Sequence, residues 1–199
     1  TRWLSDWSSD VCSSDLLPEE IEQARPAIEG ASIFLTQLEI NLSATRQAIG
    51  IAHAKGVTVV LNTAPVQPVE DDLLAKVDIV TPNEVEASLL TGVPVARAED
   101  CREAAEHFFA KGVKKVVITL GEKGVYAHDG IRDAVFPVAP VRAIDTTGAG
   151  DAFSGGFVVA LAEGLDFFEA VVFGSIAAGL SVTRSEEHTS ELQSLSHLG

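Results

Sequence analysis

The sequence predicts an α/β fold of three layers, α/β/α, in which helices cover both faces of a mainly parallel central sheet. Short apolar runs rich in β-branched residues alternate along the chain with longer segments of helical spacing. Two helical segments begin at Ser or Asn and end at Gly, which are helix start and stop signals. Strands separated by helices in this way form βαβ units with a largely parallel sheet.

The first half of the chain carries three of the expected strands. We predict strands at 32–37, 57–62 and 77–81, because each is a short apolar run and the second is strongly β-branched. A helix is expected over 43–56, where a Ser stands at the start and Lys-Gly at the end. A further helical segment is expected near 69–76. Each strand is therefore followed by a segment that can return the chain to the same edge of the sheet.

The second half continues this rhythm and then changes it. Helices are expected over 83–92 and 98–112, and a buried strand over 114–120. The stretch 124–138 is predicted to be a β-hairpin whose turn is Asp129-Gly130. Two long apolar helices are expected after it, near 149–163 and 167–183. No internal repeat, low-complexity tract or linker to a second domain is visible.

The two ends differ in composition from the chain between them. Residues 6–16 read DWSSDVCSSDL and residues 184–194 read RSEEHTSELQS, without an apolar period. DNA that encodes the first can encode the second on its reverse complement, and both resemble translated sequencing adapters. We therefore expect residues 1–16 and 184–199 to be non-native scars around a domain at 17–183. The alternative is a pair of natural disordered tails.

The composition excludes some classes of function. A formal net charge of −15 argues against general nucleic-acid binding, which requires a basic face. Backbone N–H groups can still hold an anion such as phosphate without net positive charge. No uninterrupted apolar run is long enough to cross a bilayer, so no membrane partner is expected. Cys101 is the one cysteine of the expected domain, which fits a reducing compartment, the cytoplasm.

The stretch Asp145–Phe157, DTTGAGDAFSGGF, places a carboxylate directly after a glycine-rich corner. The corner follows a strand-like segment and precedes a helix, whose first N–H groups point outward and favour negative charge. Asp151 could accept a proton from a hydroxyl that attacks a phosphoryl group held by those N–H groups. Alternatively, Asp151 is only the N-cap of the helix. The spacing alone leaves both readings open.

This stretch closely resembles the second signature of the ribokinase-like (PfkB) family of sugar kinases. Three upstream motifs follow the order of that family: LNTAP at 61–65, DIVTPNEVEASLLTG at 78–92 and VVITLGEKGVY at 116–126. A lone GAGD would be a weak signal, whereas four ordered motifs are a strong one. The resemblance spans about 33–183 and implies a ribokinase-like three-layer fold with Mg²⁺-dependent use of ATP.

The resemblance implies a role for each residue of the glycine corner. Asp151 matches the catalytic base, which takes the proton from a primary hydroxyl of the sugar. Gly148, Ala149 and Gly150 match the anion hole around the transferred phosphoryl group. Glu39 matches an acid that contacts the sugar, with an ordinary loop carboxylate as the alternative.

The resemblance also implies a nucleotide site and two cation sites. Asn83 would lie near the phosphates and Glu86 would hold Mg²⁺ through water. Without the resemblance, the residues alone favour a helix cap for Asn83 and a solvated helix face for Glu86. The residues that match the nucleotide-lining positions are Thr119, Gly121, Gly124, Gly150 and Ser175. Gly124 has the alternative role of opening the hairpin. A monovalent cation, expected to be K⁺, would be held by Asp145, Thr147 and Ser181.

The family's N-terminal half, which supplies most sugar contacts and a small β lid, has no counterpart here. The resemblance therefore implies a kinase domain truncated at the N-terminus, whose parent protein would act on a small-molecule sugar and could be a homodimer. The expected activity is transfer of a phosphoryl group from ATP to ribose. Other acceptors of the family are fructose, 2-keto-3-deoxygluconate and nucleosides, and a non-catalytic nucleotide-binding remnant is the alternative from another class. Neither a GxGxxG nor a GxxxxGK[ST] fingerprint is present.

Overall fold

A computed structural model describes residues 16–138 and 144–183 of the chain. The expected scars at 1–16 and 184–199 therefore lie outside the described residues, apart from Leu16. Within these ranges no helix is both long enough and apolar enough to span a membrane.

The centre of the fold is a sheet with six strands in the described residues, and these strands follow one another in sequence order. The strands are β1 (Ile33–Thr36), β2 (Thr58–Leu61), β3 (Ile79–Val80), β4 (Lys115–Thr119), β5 (Val125–His128) and β6 (Asp133–Phe136). The first four strands pair in parallel, whereas β4, β5 and β6 pair antiparallel. The predicted mainly parallel sheet and the hairpin at its end are both confirmed.

Seven helices surround this sheet in the described part of the chain. They are α1 (Pro18–Gly30), α2 (Leu42–Lys55), α3 (Asp71–Leu74), α4 (Glu84–Thr91), α5 (Ala98–Ala110), α6 (Ala149–Ala162) and α7 (Phe167–Ser181). The sequence predicts every one except α1. Pro26 lies inside α1 and normally argues against a helix. Burial of Ile21 and Ile28 on one face nevertheless attaches α1 to the core.

Two apolar clusters on opposite faces of the sheet make the three layers. Val59 and Leu61 of β2 belong to the cluster that includes residues of α1, α2, α4 and α5, whereas Val60 belongs to the cluster with α6 and α7. This alternation follows from the two-residue period of a strand. Strand order β1 to β4 proceeds in one direction, so right-handed crossovers place the intervening helices on one face. The two final helices then cover the other face.

Two details at helix starts differ from the sequence-based expectation. The N-cap of α2 is Asn41, whose Oδ1 accepts the Ser43 N–H at 2.8 Å, rather than Ser43 itself. Directly before α6, where a strand-like segment was expected to lead into the glycine corner, residues 144–148 form a bend and turn. Residues 139–143 lie outside the described ranges.

Gly124 begins the hairpin in a conformation that only glycine adopts readily. Its φ of 111° and ψ of −151° lie in a region closed to side chains. A Cβ at this position would lie 2.2 Å from the backbone oxygen of Phe136 on the partner strand. The hairpin-opening role of Gly124 therefore has a direct physical basis, independent of any nucleotide contact.

We expect Gly124→Ala to lower the free energy of unfolding by at least about 2 kcal/mol, because backbone strain adds to the contact with β6. Urea unfolding followed by circular dichroism measures this change. Gly50→Ala is the matched control, since Gly50 lies within α2 and a Cβ added there would meet no atom within 4 Å. That control should stabilise the chain by ~0.5–1 kcal/mol. Equal stabilities of the two variants would contradict the prediction.

Candidate active site

Several of the predicted site residues lie at one edge of the sheet. β1 to β4 are parallel, so their carboxyl ends meet at this edge, where open α/β sheets bind ligands. Gln37 and Asn62 follow β1 and β2 directly. Each donates a hydrogen bond to α6, Gln37 to Asp151 and Asn62 to Ser154. These bonds place the start of α6 at the carboxyl ends of the strands.

Asp151 lies in the first turn of α6 with its side chain exposed. The N-cap of α6 is Gly148, at a φ of 71°, so the reading of Asp151 as the N-cap is wrong. The carboxylate Oδ1 instead accepts a hydrogen bond of 2.8 Å from Gln37 Nε2. Asp151 is thus an acid held at the sheet edge by a neighbouring strand, rather than a group satisfied by its own helix.

The glycine corner presents backbone N–H groups with room in front of them. The Ala149 N–H donates to Thr146 O at 3.3 Å, and the first bond within the helical repeat runs from Ala152 N to Gly148 O at 2.9 Å. The N–H groups of Gly150 and Asp151 lie between these bonds, at positions where a helix offers no carbonyl acceptor. A Cβ at Gly148 or Gly150 would meet no atom within 4 Å. The corner can therefore accept an anion close to the backbone.

An open cleft of about 400 Å³ lies beside Asp151. Its walls come from the end of β1, the loop after it and the first turns of α6: Leu35, Thr36, Gln37, Glu39, Ile40, Asp151, Ser154 and Gly155. Two residues expected to meet the substrate, Glu39 and Asp151, therefore line the same cavity although they are far apart in sequence. The volume is within the range of small-molecule sites.

Asn83 and Glu86 form a complete helix-capping arrangement at the start of α4. Asn83 Oδ1 accepts the N–H groups of Val85 and Glu86, each at 2.9 Å. The carboxylate of Glu86, only 8% exposed, accepts the Asn83 N–H at 3.0 Å and Asn83 Nδ2 at 2.8 Å. Thr63, which follows β2, donates its hydroxyl to Glu86 Oε2 at 2.9 Å. The capping role of Asn83 is confirmed, and Glu86 lies in a buried network rather than on a solvated face.

The residues expected around the nucleotide differ in their surroundings. Thr119 ends β4 and forms a bridge with Asn83, which places it beside the start of α4. Gly121, at a φ of 58°, begins a short 3₁₀ turn that leads to Gly124. Ser175 is buried in α7 and its hydroxyl donates to Val171 O of the same helix at 2.9 Å. Thr119 and Gly121 lie at the site edge, whereas Ser175 is satisfied within its helix.

The residues expected to bind a monovalent cation lie where the turn before α6 meets the end of α7. The N–H groups of Ile144 and Asp145 both donate to Val182 O, at 2.7 and 3.3 Å. Asp145 Oδ1 accepts the Thr147 N–H at 2.9 Å. The backbone and then the side chain of Thr147 stabilise the carboxylate and lower the pKa of Asp145. Ser181 donates its hydroxyl to Ala178 O at 2.8 Å. Among the described residues, no group of three or more His, Cys, Asp and Glu side chains could hold a metal ion.

Four polar residues of this edge were not predicted from the sequence. Gln37 donates to Asp151, Thr63 donates to Glu86, and Asn62 donates to Ser154. Each follows a strand or lies one turn along α6, so their positions on the sheet edge were available as a signal. Their hydrogen-bond partners could not be predicted in this way, because these bonds join residues that are distant in sequence.

Comparison with known sequences agrees with this arrangement. The sequence pattern of the pfkB family carbohydrate kinases matches residues 13–193. The ribokinase of Haemophilus influenzae is 45% identical over 178 residues, which are 89% of this chain and 58% of that protein. The ribokinase of Staphylococcus aureus is 39% identical over 170 residues, which are 85% of this chain and 56% of that protein.

A solved structure has the same fold. The structure of Arabidopsis thaliana ribokinase complexed with ribose and ATP gives a TM-score of 0.79 at 34% identity, over 82% of this chain and 54% of that chain. The chain thus spans a little over half the length of these relatives. The family pattern covers most of the sequence and the ordered motifs lie at one sheet edge, so the chain belongs to the pfkB family of carbohydrate kinases.

Proposed function

We propose that the protein transfers the γ-phosphoryl group of ATP to the primary hydroxyl of ribose, giving ribose 5-phosphate and ADP. One observation carries the proposal: Asp151 lies beside the amides of the glycine corner and lines the same open cleft as Glu39. A hydroxyl bound in that cleft has an acid next to it and an anion-binding helix start alongside. This combination is what phosphoryl transfer to an alcohol requires.

In this proposal, one group accepts the proton of the attacking hydroxyl and other groups stabilise the charge on the transferred phosphoryl group. The Asp151 carboxylate accepts the proton as the sugar oxygen forms its bond to the γ-phosphorus. The bond from that phosphorus to the β,γ-bridging oxygen breaks, and ADP leaves with the electron pair. The N–H groups of Gly150 and Asp151, together with the α6 dipole, stabilise charge on the transferred group. Glu39 lines the same cleft, and we assign to it a hydrogen bond with a sugar hydroxyl.

We assign the nucleotide to the adjoining edge of the sheet, at Asn83, Thr119 and Gly121. Mg²⁺, when bound, neutralises charge on the phosphates. The Glu86 carboxylate already accepts bonds from Thr63 and Asn83, so contact with Mg²⁺ through water fits it better than direct ligation. Asp145 provides an anionic oxygen, and the nearby backbone carbonyls could complete a K⁺ site. We place this chemistry within residues 17–183, in a reducing compartment such as the cytoplasm, where Cys101 stays a free thiol.

Ribose is the preferred acceptor because both relatives compared above are named ribokinases, and because the solved Arabidopsis protein holds ribose and ATP. Fructose, 2-keto-3-deoxygluconate and nucleosides are the competing acceptors. They share the primary alcohol, so Asp151 and the glycine corner do not distinguish them. Discrimination must come from groups around the sugar ring, of which Glu39 is the candidate in this chain.

The test is a panel of acceptors assayed with the full-length protein that contains this chain. We expect ribose to give a kcat/KM at least ~10-fold above 2-deoxyribose, fructose, 2-keto-3-deoxygluconate and adenosine, since a site that hydrogen-bonds substrate hydroxyls rejects analogues that lack or misplace them. ADP formation measures the rate and phosphorus NMR identifies the product. If another acceptor gives a higher kcat/KM than ribose, that acceptor is the substrate and the assignment of ribose is wrong. Binding of ATP-Mg²⁺ by calorimetry without any transfer would instead favour the nucleotide-binding remnant.

A further inference from the structure

We propose that Gln37 is a positioning residue for Asp151, holding the base in the orientation that phosphoryl transfer requires. This inference rests on the proposed function. Gln37 Nε2 donates a hydrogen bond of 2.8 Å to Asp151 Oδ1, between residues that are 114 positions apart in sequence. The contact joins the end of β1 to the first turn of α6, and both residues line the cleft.

The backbone on both sides of Gln37 is fixed, so its side chain can act as a support. Thr36, immediately before it, pairs with Leu61 of β2 and accepts the Asn62 N–H at 2.9 Å. Leu38, immediately after it, is 2% exposed. The Leu38 N–H donates to Ala64 O at 2.9 Å, and Leu38 O accepts Gln67 Nε2 at 2.7 Å. The loop after β1 is therefore bound to the loop after β2.

Gln37 and Glu39 both lie at the cleft, on either side of a buried leucine. Leu38 packs in the apolar core within the bend that follows β1, whereas its two neighbours line the cavity beside Asp151. One buried leucine thus orients a positioning amide and a candidate sugar-binding acid. The same segment connects substrate binding to the placement of the base.

The hydrogen bond favours one oxygen of Asp151 as the proton acceptor. Oδ1 already accepts the Gln37 amide, which makes it less basic, so Oδ2 is the better acceptor for the proton of a bound hydroxyl. A second bond supports the same helix, from Asn62 Nδ2 to Ser154 Oγ at 3.2 Å, one turn further along α6. The second bond restrains the backbone, whereas the Gln37 bond restrains the carboxylate itself. Loss of the Gln37 bond should therefore affect the chemical step and leave folding intact.

The test replaces Gln37 by methionine, which has a similar length and no donor. In the full-length protein we expect kcat for ribose to fall ~10-fold, with the KM for ATP and the thermal midpoint unchanged, because a small misplacement of a reacting group costs up to ~10²-fold. In the Asp151→Asn background, Gln37→Met should cause no further loss, since the oriented base is already absent. A lower thermal midpoint with unchanged kcat would show a merely structural role and overturn the inference.

The matched control is Gln47→Met on α2. Gln47 Nε2 also donates to a carboxylate, Glu22 Oε1, at 2.6 Å, but neither residue lines the cleft. We expect its kcat to match the wild type. If wild-type protein transfers no phosphoryl group to any sugar, the proposed function fails and this inference fails with it. If wild-type protein is active and Gln37→Met has the same kcat, the inference alone fails.

A second readout does not depend on turnover. Side-chain amide signals of Gln37 in nitrogen-15 NMR spectra should move when Asp151 is replaced by alanine, because their acceptor is lost. Those of Gln47 should stay in place. Unmoved Gln37 signals would overturn the contact on which the inference depends.

Discussion

Asp151→Asn is expected to reduce kcat for phosphoryl transfer ~10²–10⁴-fold, the usual cost of losing a positioned general base. Asparagine has nearly the same shape, and its amide oxygen can still accept the Gln37 hydrogen bond. What it lacks is a basic oxygen for the proton of the attacking hydroxyl. The affinity for ATP-Mg²⁺ should stay within a few-fold of wild type, because the glycine corner and its N–H groups are unchanged. Steady-state kinetics and calorimetry on the full-length protein measure the two quantities.

The matched control for this variant is Asp166→Asn. Asp166 is also a carboxylate at a helix start, the N-cap of α7, where its Oδ1 accepts the N–H groups of Phe168 and Glu169 at 2.8 and 3.0 Å. Asparagine caps a helix as well as aspartate does. We therefore expect wild-type kcat from Asp166→Asn. Near-normal turnover of Asp151→Asn would exclude it as the base, whereas equal loss in both variants would indicate a general effect on folding.

Phe157→Ala is expected to lower the free energy of unfolding by ~3–5 kcal/mol, the largest stability effect considered for this chain. Phe157, on α6, is 0% exposed and packs between its own helix, α7 and the sheet. Its ring lies 5.9 Å from that of Phe153 and 6.1 Å from that of Phe167, measured between centroids. Truncation removes these contacts and leaves a cavity beneath the helix that carries Asp151. For a domain of this size the thermal midpoint should fall by roughly 10 °C.

Val159→Ala is the control on the same helix, because Val159 is 55% exposed. Its effect should stay within ~0.5 kcal/mol, as for most surface substitutions. Chemical unfolding of the two variants side by side makes the comparison. If Phe157→Ala unfolds at the wild-type denaturant concentration, the packing of α6 against the sheet is not what this structure describes.

Periodicity and end signals predicted most of the fold because they are local properties. The runs that form β2 and β4 have apolar side chains on both faces of the strand. Such a strand is stable only when helices cover both faces of the sheet. The caps of α4 and α7 lie at Asn83 and Asp166 because those side chains satisfy N–H groups two and three residues further on. Helix α1 was not predicted because Pro26 lies inside it, and an internal proline argues against a helix. The helix forms nevertheless because Ile21 and Ile28 pack against the core.

Part of the candidate site, like part of the fold, could be predicted from the sequence, and part could not. The glycine corner and Asp151 are contiguous in sequence, so their chemistry could be inferred from residue types and spacing. The reading of Asp151 as an N-cap could not be rejected from spacing, because it depends on the backbone angles of Gly148. The burial of Glu86 depends likewise on Thr63, which approaches it from another strand.

The sequence alone determined the order of strands and helices, the acid that follows the glycine corner and the family to which the motifs point. These follow from interactions between residues a few positions apart. Only the tertiary structure decided which groups surround that acid, because Gln37 and Glu39 reach it through the pairing of β1 with β2 and the burial of Leu38. A cleft exists only where distant segments meet, and a contact across 114 residues leaves no local pattern to read.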